Sequence, residues 1–458
     1  MFSIEVKSKP SVLEALFMVI IVISIISIAI GKLGSVPHIP ILLSIILLIF
    51  YGLLKRVPFK VLEESMRSAA STGIGAIYIF FLIGILISSW IVSGTIPTLL
   101  YMGFSLVSAS FFYAVVFIIT AIIGTAIGSS LTTVATIGVA FVSIAGVIDA
   151  SIALTAGAIV SGAFFGDKMS PLSDTTNLAA SIVNIDLFEH IKNMSWTTIP
   201  AFLISVVLYA VLSPSVEGVN NTNIAFYQTS LQDTNLVHWY AIVPLLVLIV
   251  CTIKKVPAFL TLIISSLIAL FLSIFHTSLS ISDYSAILYS GYVSETGVEV
   301  IDSLLTRGGI SSMYFTIMLV VLSLSMGGLL FALGIIQTLL SKIESLLKSV
   351  GALITGTALT AIGINIVVGE QYLSILLTGE AYKQQYTELG LHPKNLSRVM
   401  EDAGTVVNPL VPWSVCGLFI ALMLDVSVID YLPFAFFCLL CPILTIVFGW
   451  LNLTISRN

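Results

Sequence analysis

Long apolar runs separated by short polar segments recur along the whole of this 458-residue chain. A helix needs about 20 apolar residues to cross a lipid bilayer, so the pattern predicts an all-α polytopic membrane protein. The predicted segments of the first half are 12–31, 36–54, 71–93, 111–128, 131–148, 150–184 with an interruption, and 196–213. Those of the second half are 239–253, 256–275, 312–335, 350–367, 368–382, 398–424 with an interruption, and 431–452.

Composition agrees with this pattern and excludes several classes of protein. Hydrophobic residues make up 58% of the chain, charged residues 9%, and the mean hydropathy is +1.13. A soluble domain carries about 25% charged residues, so no sizeable soluble domain is expected. The run 12–30 has full spanning length and lacks a small-residue cleavage site, which indicates a retained helix. No basic cluster points to a nucleic-acid partner, and no HExxH motif or other sign of a cofactor is present.

The two halves of the chain resemble each other element by element. Residues 67–100 align without gaps on 307–340, Thr-Ala-Ile-Gly occurs at 125–128 and 360–363, and Ser-Pro-Leu at 170–172 has its echo in Asn-Pro-Leu at 408–410. We therefore predict two repeats, 1–213 and 238–458, joined by an extracytoplasmic linker, 214–237. Each repeat contains scaffold helices (12–93 and 239–335), a hairpin (111–148 and 350–382), a broken helix (150–184 and 398–424) and a last helix (196–213 and 431–452).

Basic residues orient this scheme, because short cytoplasmic loops are enriched in Lys and Arg. With both termini in the cytoplasm, all but three of the 18 basic residues are cytoplasmic; Lys32 and Arg307 lie outside, and Lys168 lies within the membrane. The second half then begins on the opposite side from the first, so the repeats are inverted, as in many secondary transporters. Each predicted hairpin is either re-entrant or a pair of full crossings.

The segment 166–177 places charges and a proline inside apolar surroundings. Pro171 cannot donate a helical hydrogen bond, and it disfavours helical geometry at Ser170, which predicts a break near 169–172. Ionisable groups at membrane depth mark functional sites, whereas Gly162 and Gly166 are expected to serve close helix packing. The candidate ion-binding residues around the break are Asp167, Lys168, Ser170, Asp174, Thr175, Thr176 and Asn177.

Carboxylate, hydroxyl and carbonyl oxygens are the ligands that hard cations prefer. A buried carboxylate that holds either a proton or a sodium ion would couple their opposed movements. Asp174 is our first candidate for this exchange and Asp167 our second, although Asp167 could instead form an ion pair that holds the break together. Lys168 has three interpretations: it compensates the carboxylates, it binds the carboxylate of an organic substrate, or it extends to the membrane interface.

The second half offers corresponding candidates, which symmetry would bring to the first break. For Glu401 and Asp402, a capping or surface role is the alternative to ion binding. For the neutral residues, the alternative is hydrogen bonding within or between helices. These candidates are Glu370, Glu401, Asp402, Thr405 and Asn408, with neutral oxygens from Ser129, Ser130, Thr133 and Asn365.

The segments 166–179 and 401–413 resemble the two signatures of the NhaC family of sodium/proton antiporters. Gly369-Glu370-Gln371-Tyr372 is similar to that family's Gly-Asp-Gln-Tyr, with Glu in place of Asp. The resemblance implies membership of the ion-transporter superfamily, an elevator-type movement and a homodimer in the cell membrane. The family also includes malate/lactate antiporters and amino-acid transporters.

We therefore expect a secondary transporter, not an enzyme, that exchanges sodium for protons, with sodium as a transported ligand. Sodium-coupled transport of a small carboxylate or an amino acid is the alternative within the family. An intramembrane aspartyl protease is a distant alternative, because such an enzyme would need two convergent Asp residues and would not need an inverted repeat.

Overall fold

A computed structural model describes residues 6, 8–106, 111–213, 221–254, 256–298, 301–302, 305–344 and 349–457. The predictions for Lys7, Lys255 and Lys348, and for residues 214–220 of the linker, lie outside the described residues. The described chain is helical, and its only strand-like pairings are two isolated bridges, Tyr292 with Arg307 and Leu391 with Arg457. The prediction of an all-α fold is therefore confirmed.

The predicted apolar runs of the first half are helical, and two further helices, 59–72 and 95–106, correspond to no predicted run. The helices of this half are α1 (Val12–Gly31), α2 (His38–Leu54), α3 (Phe59–Thr72), α4 (Ile74–Val92), α5 (Thr95–Leu106), α6 (Phe112–Ile127), α7 (Ser130–Thr133), a π-helical turn (Val134–Gly138), α8 (Val139–Val147), α9 (Ile152–Met169), α10 (Asp174–Ile182) and α11 (Leu187–Leu212).

The second half is interrupted more often. It contains α12 (Asn221–Asp233), a 3₁₀ turn (Trp239–Ile242), α13 (Val243–Ile253), α14 (Ala258–Ser273), α15 (Ile281–Ser290), a 3₁₀ turn (Ile310–Met313), α16 (Tyr314–Ala332), α17 (Ile335–Glu344), α18 (Val350–Val368), α19 (Gln371–Glu388), α20 (Lys394–Met400), a π-helical turn (Glu401–Thr405), a 3₁₀ turn (Asn408–Leu410), α21 (Val415–Leu424), α22 (Val428–Tyr431), a 3₁₀ turn (Leu432–Phe434) and α23 (Phe436–Trp450).

Among the described residues, five helical stretches are long and apolar enough to cross a membrane, and three bent pairs raise that number to eight. The five are Val12–Gly31, Ile152–Met169, Leu187–Leu212, Ile310–Ala332 and Val350–Val368. One of the bent pairs joins Lys394–Leu410 to Val415–Leu424 at an angle of 46°. The protein is therefore a multi-pass membrane protein.

Three boundaries differ from the prediction because capping and backbone geometry do not appear in an apolar pattern. The helix predicted to start at 196 begins at Leu187, where the Asp186 side chain accepts hydrogen bonds from the N–H groups of Phe188 and Glu189. The predicted linker contains α12. The span predicted as 71–93 is α4, and α3, which the apolar pattern did not predict, precedes it and meets it at Gly73.

Glycines bring α6 and α9 into close contact. A Cβ atom at Gly166 would lie 2.4 Å from the backbone of Gly124 and Thr125, and one at Gly162 would lie 2.6 Å from the carbonyl oxygen of Phe117. Neither position has room for a side chain, so the predicted packing role of Gly162 and Gly166 is confirmed. This contact fixes the hairpin of α6–α8 against the first broken helix.

The tips of both hairpins share one backbone geometry. Gly128 ends α6 with φ of 71°, and Gly369 ends α18 with φ of 75°, a left-handed conformation that favours glycine. The residue after each glycine, Ser129 or Glu370, is extended and caps the next helix with its side chain. The two tips are therefore local equivalents.

The two helix breaks are separated along the chain by the same number of residues as the two hairpin tips. Ser170 and Val411 are both extended, and a serine caps the helix that follows each of them. This register pairs Pro171 with Pro412 instead of with Pro409. It also places the second Thr-Ala-Ile-Gly inside α18, whereas the first ends α6, so these two motifs are not structural equivalents.

Candidate functional site

The first break lies where Pro171 predicts it, and polar side chains satisfy its exposed backbone. The hydroxyl of Thr176 donates to the carbonyl oxygens of Lys168 (3.2 Å) and Asp167 (3.4 Å) at the end of α9. The amide of Asn177 donates to the carbonyls of Pro171 (3.0 Å) and Ser173 (2.8 Å). These two residues therefore hold the break in shape.

Asp167 lies between the break and the tip of the first hairpin. Its carboxylate is buried, with 4% of the residue exposed, and it accepts a hydrogen bond of 2.7 Å from the Ser130 hydroxyl. The hairpin tip approaches closely, since a Cβ at Gly128 would lie 2.8 Å from the Cβ of Leu172. Asp167 is thus a buried carboxylate whose side-chain partners are the hydroxyls of Ser130 and Ser173.

Lys168 forms an ion pair with Asp402, and both side chains are fully buried. The second carboxylate oxygen of Asp402 accepts a hydrogen bond of 2.8 Å from Thr197 on α11. The ammonium also lies 3.8 Å from the sulfur of Cys441. Lys168 therefore does not extend to the membrane interface, and its charge is matched by Asp402 of the second half.

Glu401 is a second buried carboxylate beside this ion pair. It is fully buried, and it forms no ion pair among the described residues. Its charge interacts with those of Asp167, Lys168 and Asp402. Glu401 begins the π-helical turn that continues to Thr405, whose buried side chain interacts with the Glu401 carboxylate. Glu401 and Asp402 are thus interior groups, not surface groups.

The second hairpin and break are joined by amide side chains. Asn408 donates to Asn365 (2.8 Å), and Asn365 donates to the carbonyl of Gly404 (2.6 Å). The oxygen of Asn408 accepts from the N–H of Cys416 (3.1 Å). Asn408 occupies the position in the second break that Asp167 occupies in the first. An uncharged amide therefore replaces the carboxylate there and holds the break together.

Several predicted residues act locally or lie at the edge of this cluster. Asp174 is exposed at the start of α10. Thr133 bonds the carbonyl of Ser129 within its own helix (2.8 Å), and Thr175 bonds Ser173 (3.0 Å). Glu370 is buried and accepts from the N–H of Leu373 at the start of α19 (2.8 Å).

Sequence reasoning did not identify three residues at this site. Thr197 binds Asp402, Tyr372 interacts electrostatically with Asp167, Asp174 and Glu370, and the fully buried His190 interacts with Lys168. Thr197 and His190 lie on a long helix with no motif, so a single sequence gives no signal for them. Tyr372 belongs to the Gly-Glu-Gln-Tyr motif, which could have pointed to it.

The arrangement can bind a small hard cation. No group of three or more His, Cys, Asp or Glu side chains suited to a metal ion occurs in the part of the chain that the structure describes. A cation here would therefore be held by the Asp167 and Glu401 carboxylates together with hydroxyl and backbone oxygens, a ligand set that fits an ion that is bound and released.

Buried charges, broken helices and apolar spans together define a membrane transport protein. Residues 162–453 match the model of the Na⁺/H⁺ antiporter family. This chain belongs to that family.

Curated relatives span nearly the whole chain. It is 42% identical to the Na⁺/H⁺ antiporter NhaC of Alkalihalophilus pseudofirmus, over 92% of each chain. It is 39% identical to the Na⁺/H⁺ antiporter NhaC of Bacillus subtilis, over 95% of this chain and 96% of the relative. It is 33% identical to the malate-2H⁺/Na⁺-lactate antiporter of B. subtilis, over 96% and 95%. The resemblance to the NhaC family is confirmed.

Proposed function

We propose that this protein exchanges sodium for protons across the cell membrane, and that Asp167 and Glu401 carry the exchanged ions. The observation that carries this proposal is the charge balance of the buried cluster. Asp402 is neutralised by Lys168, whereas Asp167 and Glu401, whose side-chain partners are hydroxyl groups, form no ion pair among the described residues. An ionised carboxylate is costly in such surroundings, so Asp167 and Glu401 need either protons or a cation.

Competition for these two carboxylates couples the two movements. Sodium stabilises the ionised forms and displaces protons, and protonation removes the charge that holds sodium. Asp174, at the exposed start of α10, is suited to attract cations toward the buried pair. Both NhaC relatives are named for the same exchange.

We further propose that the two halves are inverted repeats and that both termini are cytoplasmic. The shared geometry of the hairpin tips and of the breaks supports the repeat, and the distribution of Lys and Arg supports the orientation. In this scheme the hairpins and broken helices move as one unit against the scaffold helices, as an elevator, and the protein is a homodimer.

An organic substrate is the alternative, because one relative is named as a malate and lactate antiporter. Lys168 is the buried cation best placed to bind a substrate carboxylate beside the break. Its ammonium is already paired with Asp402, which Thr197 also holds. We therefore propose that exchange proceeds without an organic substrate.

Purified protein in liposomes tests these proposals. An outward sodium gradient should acidify the lumen in the absence of any organic solute, and malate, lactate or amino acids should not raise the rate. Asp167→Asn and Glu401→Gln should each abolish the pH change, whereas Glu64→Gln, at an exposed ion pair, should not. Strict dependence on an organic solute would refute sodium/proton exchange, and wild-type rates in both site variants would refute the assignment of the site.

A further inference from the structure

His190 on α11 is fully buried, and neither of its ring nitrogens has a hydrogen-bond partner among the described residues. A neutral imidazole has one donor and one acceptor nitrogen, so both are left unsatisfied. Such a loss is costly for a buried group, and an unpartnered polar group of this kind indicates an unseen water or a functional role.

One face of α11 connects the protein surface to the buried ion pair. Glu189 at the start of the helix forms a partly exposed ion pair with Lys394 (2.9 Å). One turn further along α11, Asn193 donates to the carbonyl of Lys394 (2.7 Å). One turn beyond Asn193, Thr197 donates to Asp402 (2.8 Å). His190 lies on this face, two helical turns or about 10 Å before Thr197.

Other unpartnered polar atoms lie on the helix that α11 packs against. The Nε and Nη2 atoms of Arg398 on α20 are buried without hydrogen-bond partners in the described part of the chain, and the buried carboxylate of Glu401 follows just beyond this helix. Lys168 interacts electrostatically with both His190 and Glu401. Buried water typically makes about three hydrogen bonds to groups of this kind. Unpartnered polar atoms therefore lie on both α11 and α20, which pack against each other.

We infer, on the basis of the sodium/proton exchange proposed above, that His190 is a proton relay between the Glu189 end of α11 and the carboxylate of Glu401. Water on the surface side gives a proton to the acceptor nitrogen of the imidazole. The other nitrogen releases its proton through water to Glu401, and rotation of the ring about its Cβ–Cγ bond then turns the protonated nitrogen back toward Glu401. The imidazole thus passes on one proton and ends with no net change of charge.

The surroundings favour such a relay over a permanently charged imidazolium. The titratable or charged groups on the elements packed against α11 are Tyr113 on α6, Asp167 and Lys168 on α9, Asp174 on α10, Lys394 and Arg398 on α20, and Cys438 and Cys441 on α23. Of these, Lys168 interacts with His190 and carries the same sign as an imidazolium. A relay that holds its extra proton only briefly avoids this repulsion.

Glutamine at position 190 preserves polar contacts but cannot relay a proton. In liposomes, His190→Gln should lower the maximal rate of sodium-driven proton movement at least about tenfold, while the sodium concentration for half-maximal rate stays within about twofold of wild type. The matched control is His38→Gln, at a buried histidine whose Nε2 contacts the carbonyl oxygen of Phe315 (2.8 Å), and it should match wild type.

His190→Ala separates relay from packing, because added imidazole can enter the vacated space. Restoration of at least half the wild-type rate by imidazole, with no effect of imidazole on the wild type, would support the relay. A wild-type rate and pH profile in His190→Gln would overturn it, as would an imidazole-insensitive loss in well-folded His190→Ala. An inactive wild-type protein would instead refute the sodium/proton exchange itself.

Discussion

The Lys168–Asp402 ion pair allows a sharp test of how the two halves are joined. Both side chains are fully buried, so removing one charge leaves the other uncompensated in the interior. Loss of a single partner from a buried pair costs about 3–5 kcal/mol, whereas neutralising both partners together is often close to neutral. Lys168→Met and Asp402→Asn should therefore each destabilise the protein by about 3–5 kcal/mol, and the double variant should recover most of that loss.

Thermal unfolding of the four proteins in one detergent, followed by tryptophan fluorescence, measures this coupling. Glu64→Gln is the control, because its ion pair with Arg67 is 61% and 77% exposed, and an exposed pair contributes at most about 1 kcal/mol. The double variant should also retain sodium-driven proton movement, since Lys168 is not needed to bind a substrate.

Two results would refute this reasoning. A double variant as unstable as the less stable single variant would show that the two charges do not compensate each other. A stable Lys168→Met variant that loses exchange, without rescue by Asp402→Asn, would show that Lys168 acts directly on a transported species.

Three further predictions concern other parts of the molecule. Gly128→Ala forces a side chain into a left-handed conformation against the first break and should destabilise the protein by about 1–3 kcal/mol. Gly363→Ala, inside α18 where an added Cβ would meet nothing within 4 Å, should stabilise the protein by about 0.4–1 kcal/mol. Equal melting temperatures of the two variants would contradict the different roles of the two Thr-Ala-Ile-Gly motifs. Ser130→Ala removes the hydroxyl that supports the ionised form of Asp167, so the sodium concentration for half-maximal exchange should rise about tenfold, and an unchanged value would contradict that role. Outside the spans, the backbone N–H of Thr296 lowers the pKa of Asp302. The stabilisation that the ionised Asp302 gives to this loop is therefore full above the ordinary pKa of aspartate and is lost as pH falls through the lowered pKa. Hydrogen exchange of residues 292–307 should speed up below that pH, and an identical pH profile for Asp302→Asn would contradict this prediction.

The sequence predicted features that depend on local chemistry. The apolar runs predicted the helices, because a spanning helix must be apolar over its whole length. Pro171 predicted the first break, because it lacks a donor and restricts Ser170. The glycine pair at 162 and 166 predicted close helix packing for the same kind of local reason.

Features that depend on contacts between residues far apart in the chain were not predictable from a single sequence. The ion pair joins Lys168 to Asp402, more than two hundred residues later, and no local signal distinguishes Asp402 from Glu401 beside it. The register between the halves was misassigned at Pro409, because Pro409 and Pro412 both fit the pattern and only backbone geometry separates them. Exposure likewise distinguishes Asp174 from Asp167, although both lie in one polar motif.

The most direct test of the central claim is proton release when sodium is added to the purified protein in weakly buffered detergent solution. Competition at two buried carboxylates predicts that the wild type releases protons as sodium binds. It also predicts that Asp167→Asn and Glu401→Gln release fewer protons or none, and that Glu64→Gln matches wild type. Sodium binding by the wild type with no release of protons at any pH would contradict the claim.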